Sequence, residues 1–301
     1  MLRKINGFEI EADIRELNAA VARHFEWSNQ LIATLLFSDK PDRSMTDTES
    51  HLHCSFSKWL NISLGFGHQQ ITGLHAVEET HAGMHAAMHS LLKSVQSGNS
   101  ERTLLDAYFS AQRDFLAAVE RYKAALVEMR SHHDTLTGLP LRQQLYEQFS
   151  QLKENSRRNQ AHLYLTLLDV DGFRDINDKH GHVYGDAVLR ELGSYLLFAI
   201  RNEEKAYRFG GEEFIIIHEC ENDAAFFAAM AKIMCGIRAH LFITSKSTLR
   251  MTVTCGSCKI KENAILQSVI DEAEHTMQYG KEQGRNRAVY NDNALINVIC
   301  E

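Results

Sequence analysis

Between residues 105 and 129 the chain carries a heptad pattern: Leu105, Gln112, Val119 and Leu126 recur every seven residues, and Tyr108, Phe115, Tyr122 and Met129 follow at an offset of three. That spacing predicts one long helix with a single apolar seam, in which Gln112 is the polar exception. Upstream, residues 9–37 read as a long helix, interrupted by the loop Ser38 to Thr48 with its Asp39-Lys40-Pro41-Asp42. Residues 50–62 predict a shorter helix; Gly65, Gly67 and Gly73 mark a loop before a third over about 74–96. Gly98-Asn99-Ser100 stops that helix, and Ser100 with Glu101 opens the fourth. Four helices with almost no β signal predict an antiparallel bundle over residues 1–132. The seam suits the bundle's own core, a dimer stalk passing into the next domain, or both, since one helix can face the bundle first and a partner chain later.

After Pro140 the pattern changes. Helices are expected over 141–156, 184–200, 222–241 and 265–282, and strands over 162–170, 249–260 and 286–290. Residues 204–209 and 213–219 predict a hairpin around Gly210-Gly211, a pair that permits a positive-φ turn. Strands alternating with helices around a central hairpin predict an α/β sandwich over residues 133–301. The fold class is therefore a helical bundle followed by an α/β domain.

Composition narrows the class. The 301 residues are 44% hydrophobic and 24% charged, as in a globular protein, with no apolar run near the length of a membrane span. The start, Met1-Leu2-Arg3-Lys4, lacks the apolar core of a secretory signal, which places the protein in the cytoplasm. Net charge is −7, split as 13 Lys+Arg against 16 Asp+Glu in residues 1–130 and 19 against 23 beyond. Such a balance argues against nucleic acid as a partner. The six cysteines are scattered, which in that compartment reads as reduced thiols. Ten of 16 histidines fall in residues 1–133, a hint of metal chemistry there.

Acidic residues punctuate the second half where strands end. Leu167-Leu168-Asp169-Val170-Asp171 closes one strand, and Gly210-Gly211-Glu212-Glu213-Phe214 forms the neighbouring hairpin tip. Carboxylates so placed suit hard divalent cations that keep open positions for phosphate, as magnesium-dependent nucleotidyl transfer requires. Taken singly, Asp169 and Asp171 read equally as strand-end caps, and Lys281 with Arg285 as a solvated helix face at i,i+4 spacing.

Taken together they match a family pattern. Asp134 to Arg142, Leu168 to Asp178, Gly181 to Asp186, Arg208 to Phe214 and Lys281 to Asn286 follow in order the motifs of the GGDEF family, which this region closely resembles. That family comprises diguanylate cyclases, enzymes that condense two GTP into cyclic di-GMP and release two pyrophosphates. The resemblance implies Asp169, Glu212 and the Val170 carbonyl as ligands of two Mg²⁺ ions, with Glu213 assisting deprotonation of the attacking hydroxyl. It implies Asn177 and Asp186 on guanine, and Lys281 and Arg285 on the terminal phosphates; Phe173, Arg174, Asp178 and Arg208 complete the substrate-side set. Arg174 stands where lysine is usual. The family's product-inhibition motif is Arg-x-x-Asp; here Arg201-Asn-Glu-Glu204 occupies that place, which puts product feedback in doubt. A two-fold cyclic product needs two facing half-sites, so a homodimer is expected.

In the first half His81 and His85 lie four apart on one helix face. With His24 and Cys54 on neighbouring helices they make three nitrogens and a thiolate, a set suited to Zn²⁺. His24-Phe-Glu-Trp27, Cys54 to Trp59 and His81 to His85 resemble the chemoreceptor zinc-binding (CZB) domain, in which three histidines and one cysteine hold zinc; Ser57 stands where that family usually has glycine. His51, His53, His75 and His89 are rival ligands nearby. Cys255-Gly-Ser-Cys258 inside a strand reads as core packing. A filled four-ligand shell makes the zinc regulatory, and the resemblance favours zinc lowering activity. The expectation is a zinc-regulated diguanylate cyclase. The alternative is a non-catalytic receptor for GTP or cyclic di-GMP with a zinc-sensing domain.

Overall fold

The computed structural model describes residues 6–37, 45, 47, 49–65, 71–99, 101–200, 205–243, 248–292 and 296–300. The chain divides into two compact units, Met1–Ser131 and His132–Glu301.

The first unit is helical. It contains α1 (Gly7–Phe37), the short α2 (Ser50–His53), α3 (Ser55–Gly65), α4 (Leu74–Gln96) and α5 (Arg102–Ser131). α4 packs along α5, and α1 packs on both α3 and α5. The expected helix over 50–62 is broken at Cys54, whose ψ of 164° is extended. The heptad seam belongs to the unit's own core. Tyr108, Phe115, Val119, Tyr122 and Leu126 are buried against Leu17, Phe56, Leu74 and Met84, with Leu105 and Met129 packed at the margin.

The second unit is a six-stranded sheet in the order β2-β3-β1-β6-β7-β8. Its strands are β1 (His162–Val170), β2 (Lys205–Arg208), β3 (Glu213–Cys220), β6 (Val253–Lys259), β7 (Ala288–Asn291) and β8 (Ile296–Cys300). β6 and β7 run parallel and the other neighbours antiparallel. A separate pair, β4 (Phe242–Ile243) and β5 (Thr248–Leu249), was not anticipated. The helices are α6 (Arg142–Arg158), α7 (Phe173–His180), α8 (His182–Ala199), α9 (Asp223–Ala239) and α10 (Leu266–Glu282).

Strand alternation sorts the side chains into two cores. Tyr164, Leu168, Val170, Phe214 and Ile216 face one layer with Val188, Phe226 and Met230. Leu163, Leu165, Leu167, Ile215 and Ile217 face the other, with Phe149, Val269, Ala273 and Met277. Cys255 lies in the first core and Cys258 in the second, so the two thiols of the Cys-x-x-Cys run pack on opposite faces. α10 lies tight on β6: a Cβ at Gly256 would run into the Ala273 carbonyl and the Met277 amide.

The hairpin differs from expectation. Neither Gly210 nor Gly211 has a positive φ. Strands end at Arg208 and restart at Glu213, leaving four residues between them, and the Phe209 and Gly210 amides donate to the Glu213 carbonyl at 2.9 and 3.2 Å. A four-residue connection can close around αR residues without the mirror-image turn a two-residue loop demands. Glycine at 210 instead keeps space beside Glu213, because a Cβ there would lie 3.1 Å from Oε2.

Candidate functional site

β1 and β3 pair so that Asp169 opposes Glu213, while Thr254 of β6 lies on the other side of Asp169. Odd positions of β1 and β3 face α10, so both carboxylates share that face with the C-terminal end of the helix. There Lys281 Nζ meets Asp169 Oδ1 at 2.9 Å. Burial raises the Asp169 carboxyl, Lys281 pulls it back, Asp171 pushes it up again and Arg285 eases it; the net direction is up. Glu213 is raised first by burial and then by Asp169, with Lys281 opposing and Glu274 and Glu212 adding to the rise. Glu212 is half-buried at the hairpin tip. The acids here thus raise one another, with Lys281 paired to Asp169, and such a site favours added positive charge.

These acids are not a ready-made metal cage. Among the described residues, the group of potential ligands within 4.8 Å of one another is His24, Cys54, His81 and His85. Magnesium typically takes only one or two protein carboxylates and completes its shell with water and phosphate, so Asp169 near the end of β1, Glu212 at the hairpin tip and Val170 at the strand end fit it chemically.

The other residues of the expected set divide. Asn177 on α7 lies against Gly185 on α8, one residue before the exposed Asp186. Asn177 Oδ1 is buried without a hydrogen-bond partner. Phe173 is buried in the core beside them. Arg174 and Asp178 pair with each other at 3.7 Å while largely exposed. Arg208 is committed to the protein: Nη1 donates to Asp134 Oδ1 at 2.7 Å and Nη2 to the Gly211 carbonyl at 2.8 Å, so it braces the hairpin tip. Arg201 and Glu204 lie outside the described residues.

Two further positions brace the site, Asp171, which the sequence offers as a strand-end cap, and Arg238, which it does not single out. Asp171 accepts from Thr252 Oγ1 at 2.7 Å, Thr254 Oγ1 at 2.6 Å and the Asn286 amide at 3.0 Å. It therefore ties the end of β1 to the turn that carries Arg285. Arg238 on α9 donates to Asn286 Oδ1 at 2.8 Å and to the Asn286 carbonyl at 2.6 Å. Arg285 and Asn286 have φ of 63° and 50°, a conformation that non-glycine residues hold only at a cost and with outside support. No family motif quoted above includes Arg238, and a basic residue in the last turn of a helix is too common to single it out.

In the first unit, α1 supplies His24, the break between α2 and α3 supplies Cys54, and α4 supplies His81 and His85. All four are buried. The His24–His81, His24–His85 and His81–His85 ring centroids lie 5.0, 5.3 and 4.7 Å apart. Cys54 Sγ and His81 Nε2 are 3.3 Å apart, close to the edge of about 3.5 Å that tetrahedral zinc bonds to sulfur and nitrogen define. Phe56, Phe115 and Trp27 surround the rings. Burial pulls His24 down to about 4. Burial, with His85, His24 and His51 adding, pulls His81 to about 2. Burial, with His24 and His51, takes His85 to about 3. All three are thus neutral near pH 7, as metal ligation requires. The group is compatible with a CZB zinc site. His51 approaches His85 at 6.5 Å between centroids, His53 and His75 are exposed, and His89 is half-buried; none belongs to the group.

No helix among the described residues is long and apolar enough to cross a membrane. The family described as "Diguanylate cyclase, GGDEF domain" matches residues 131–287. The diguanylate cyclase DgcZ of Escherichia coli (strain K12) is 33% identical over 284 residues, covering 94% of this chain and 95% of that one. Two solved structures share the fold. The coiled coil and GGDEF domain of DgcB from Caulobacter crescentus covers 60% of this chain and 98% of its own at 24% identity, TM-score 0.54. The diguanylate cyclase SiaD of Pseudomonas aeruginosa, solved with its activator SiaC, covers 90% and 100% at 21% identity, TM-score 0.51. With a third of its residues shared along nearly the whole of both chains, and the family pattern matching residues 131–287, the chain belongs to the GGDEF diguanylate cyclase family.

Proposed function

We propose that the chain is a zinc-regulated diguanylate cyclase: residues 133–301 join two GTP into cyclic di-GMP with release of two pyrophosphates, and residues 1–132 form a CZB-type zinc-binding unit. The observation that carries the reading is the opposition of Asp169 and Glu213 on the α10 face, beside Lys281, in a chain of this family. Asp169, Glu212 and the Val170 carbonyl are the oxygen donors for magnesium. When bound, the metal supplies Lewis-acid polarisation of the α-phosphate and lowers the pKa of the 3′-hydroxyl.

The protein's own groups do the remaining work. Lys281 and Arg285 hold the terminal phosphates, and Asp171 with Arg238 fixes the turn that presents Arg285. Asn177 and Asp186 read the guanine edge through hydrogen bonds. Glu213, raised by burial and by its acidic neighbours, is suited to take a proton from the attacking hydroxyl. Each α/β unit binds one GTP, so turnover requires a homodimer with two facing half-sites. His24, Cys54, His81 and His85 hold one zinc with no position open for chemistry, so its effect is regulatory, and zinc lowers turnover.

The test is incubation of full-length protein with GTP and magnesium at buffered zinc levels, followed by nucleotide separation. Cyclic di-GMP is expected, in larger amount as zinc is withdrawn. Absence of product at every zinc level, with GTP or cyclic di-GMP still bound, would leave the non-catalytic receptor as the correct reading.

A further inference from the structure

We propose that Ser50 sets the zinc affinity of this chain by fixing the ring of His85 as a ligand through Nε2; the inference rests on the zinc reading above. Ser50 Oγ and His85 Nδ1 are 2.9 Å apart, and both residues are buried, 3% and 1% exposed. His85 Nε2 is buried with no hydrogen-bond partner. A neutral imidazole has one donor nitrogen and one acceptor nitrogen. When Nδ1–H donates to the serine oxygen, the Nε2 lone pair is left for the metal. The opposite tautomer directs an N–H from Nε2 and removes the lone pair a metal needs. Such partners orient a ligating ring and raise its basicity, and their loss typically weakens metal binding about 10–100-fold.

The backbone shows why this serine is in place. Ser50 opens α2, and the Cys54 amide donates to the Ser50 carbonyl at 3.1 Å. One turn of helix therefore delivers both the thiolate of Cys54 and the hydroxyl that holds His85. α2 contacts α4 as well as α3, so this turn grips the His81–His85 helix at two points. The sequence motif that suggests the ligands starts at Cys54 and leaves Ser50 out.

Metal-free full-length protein, Ser50→Ala and Ser50→Thr are titrated with zinc against a chromophoric chelator. Ser50→Ala is expected to bind about 10–100-fold more weakly, and Ser50→Thr, which keeps the hydroxyl, to recover most of that loss. With cobalt, all three should keep a tetrahedral spectrum with a sulfur-to-metal band, since no ligand is removed. Unaltered zinc affinity in Ser50→Ala, with only a lower thermal midpoint of the metal-free protein, would reduce Ser50 to a packing residue and overturn the proposal. Nitrogen-15 histidine spectra of the zinc-loaded wild type provide a check that does not depend on a variant folding. Metal on Nε2 with a proton on Nδ1 of His85 supports the proposal, and metal on Nδ1 refutes it. Wild-type protein that binds no zinc would instead remove the zinc reading itself.

Discussion

Gly185→Ala probes the proposed guanine-side geometry because the added atom would fall closest to Asn177. The added Cβ would overlap Asn177 Oδ1 and lie 3.0 Å from Phe173 Cζ. Oversized groups in packed sites cost about 1–3 kcal/mol. Asn177 is the softer obstacle, since its amide can rotate away whereas Phe173 is locked in the core. Rotation moves the oxygen proposed to meet guanine, and losing a buried hydrogen bond of about 1–3 kcal/mol raises KM for GTP by about 5- to 150-fold. In an Asn177→Ala background the obstacle is gone, so the alanine at 185 should cost little beyond the phenylalanine contact. The assay is a double-mutant cycle, read in thermal unfolding and in KM, with a coupling of about 0.5–3 kcal/mol expected. Additive effects, with Gly185→Ala raising KM equally in both backgrounds, would show that Asn177 does not transmit the clash and that this pair does not read the base.

Arg238→Ala removes both hydrogen bonds to Asn286, and the turn holding Arg285 should loosen. KM for GTP is expected to rise on the order of tenfold, the worth of one to two net hydrogen bonds, and an unchanged KM would count against the brace. Asp134→Asn tests the Arg208 anchor. Burial pushes the Asp134 carboxyl up, but the Arg208 guanidinium and the Thr137 hydroxyl and amide outweigh it, and its folded value is lowered. A lowered carboxyl stabilises the fold above the ordinary carboxylate range and loses that contribution as pH falls through the folded value. Denaturation midpoints of wild type should therefore exceed those of Asp134→Asn at pH 7 and converge with them toward pH 3; a constant gap is the contrary result. Cys54→Ala leaves three histidines, and zinc binding measured against a chelator should weaken by more than about 100-fold while zinc ceases to alter product formation. Retained tight binding would place the thiol outside the ligand set.

Much of this was legible because strand parity is a local property. Once β1 is a strand, Asp169 must share a face with Leu165 and Leu167, and Glu213 with Ile215 and Ile217. The pairing that puts the two acids opposite one another is non-local, and the residues do not encode it one by one. Asp169 and Asp171 look alike in sequence. The difference is that Asp171 falls beyond the strand, where two threonines and an amide claim its oxygens, whereas Asp169 is left to Lys281. α7 was missed because its eight residues offer only Phe173 and Ile176 as apolar positions, too few to show a helical period. The heptad of α5 was clear, but its consumer was not: seven-residue spacing is the same whether the facing helix belongs to this chain or to another copy.

The distribution of buried polar atoms without hydrogen-bond partners ties the two sites together. His24 Nδ1 and Nε2, His85 Nε2 and Asn177 Oδ1 are among them, alongside His89 Nδ1 and the Tyr122 and Tyr290 hydroxyls. Each such atom costs about 1–3 kcal/mol, which a folded chain seldom tolerates without cause. Tyrosine hydroxyls can be accommodated by small rotations, but the imidazole nitrogens of the histidine–cysteine group and the Asn177 amide oxygen, proposed to meet guanine, are held by their packing. Zinc takes one nitrogen of each ring, and a ligand bound in this way stabilises the folded chain by mass action, about 2.7 kcal/mol at a hundredfold excess over Kd. Zinc and GTP should therefore each raise the thermal midpoint of the full chain. At a fixed ligand concentration the zinc shift should shrink in Cys54→Ala, and the GTP shift in Asn177→Ala, with neither variant losing the other's response. Loss of both shifts in either variant would mean that these atoms are orphaned by global loosening instead of being poised for ligands.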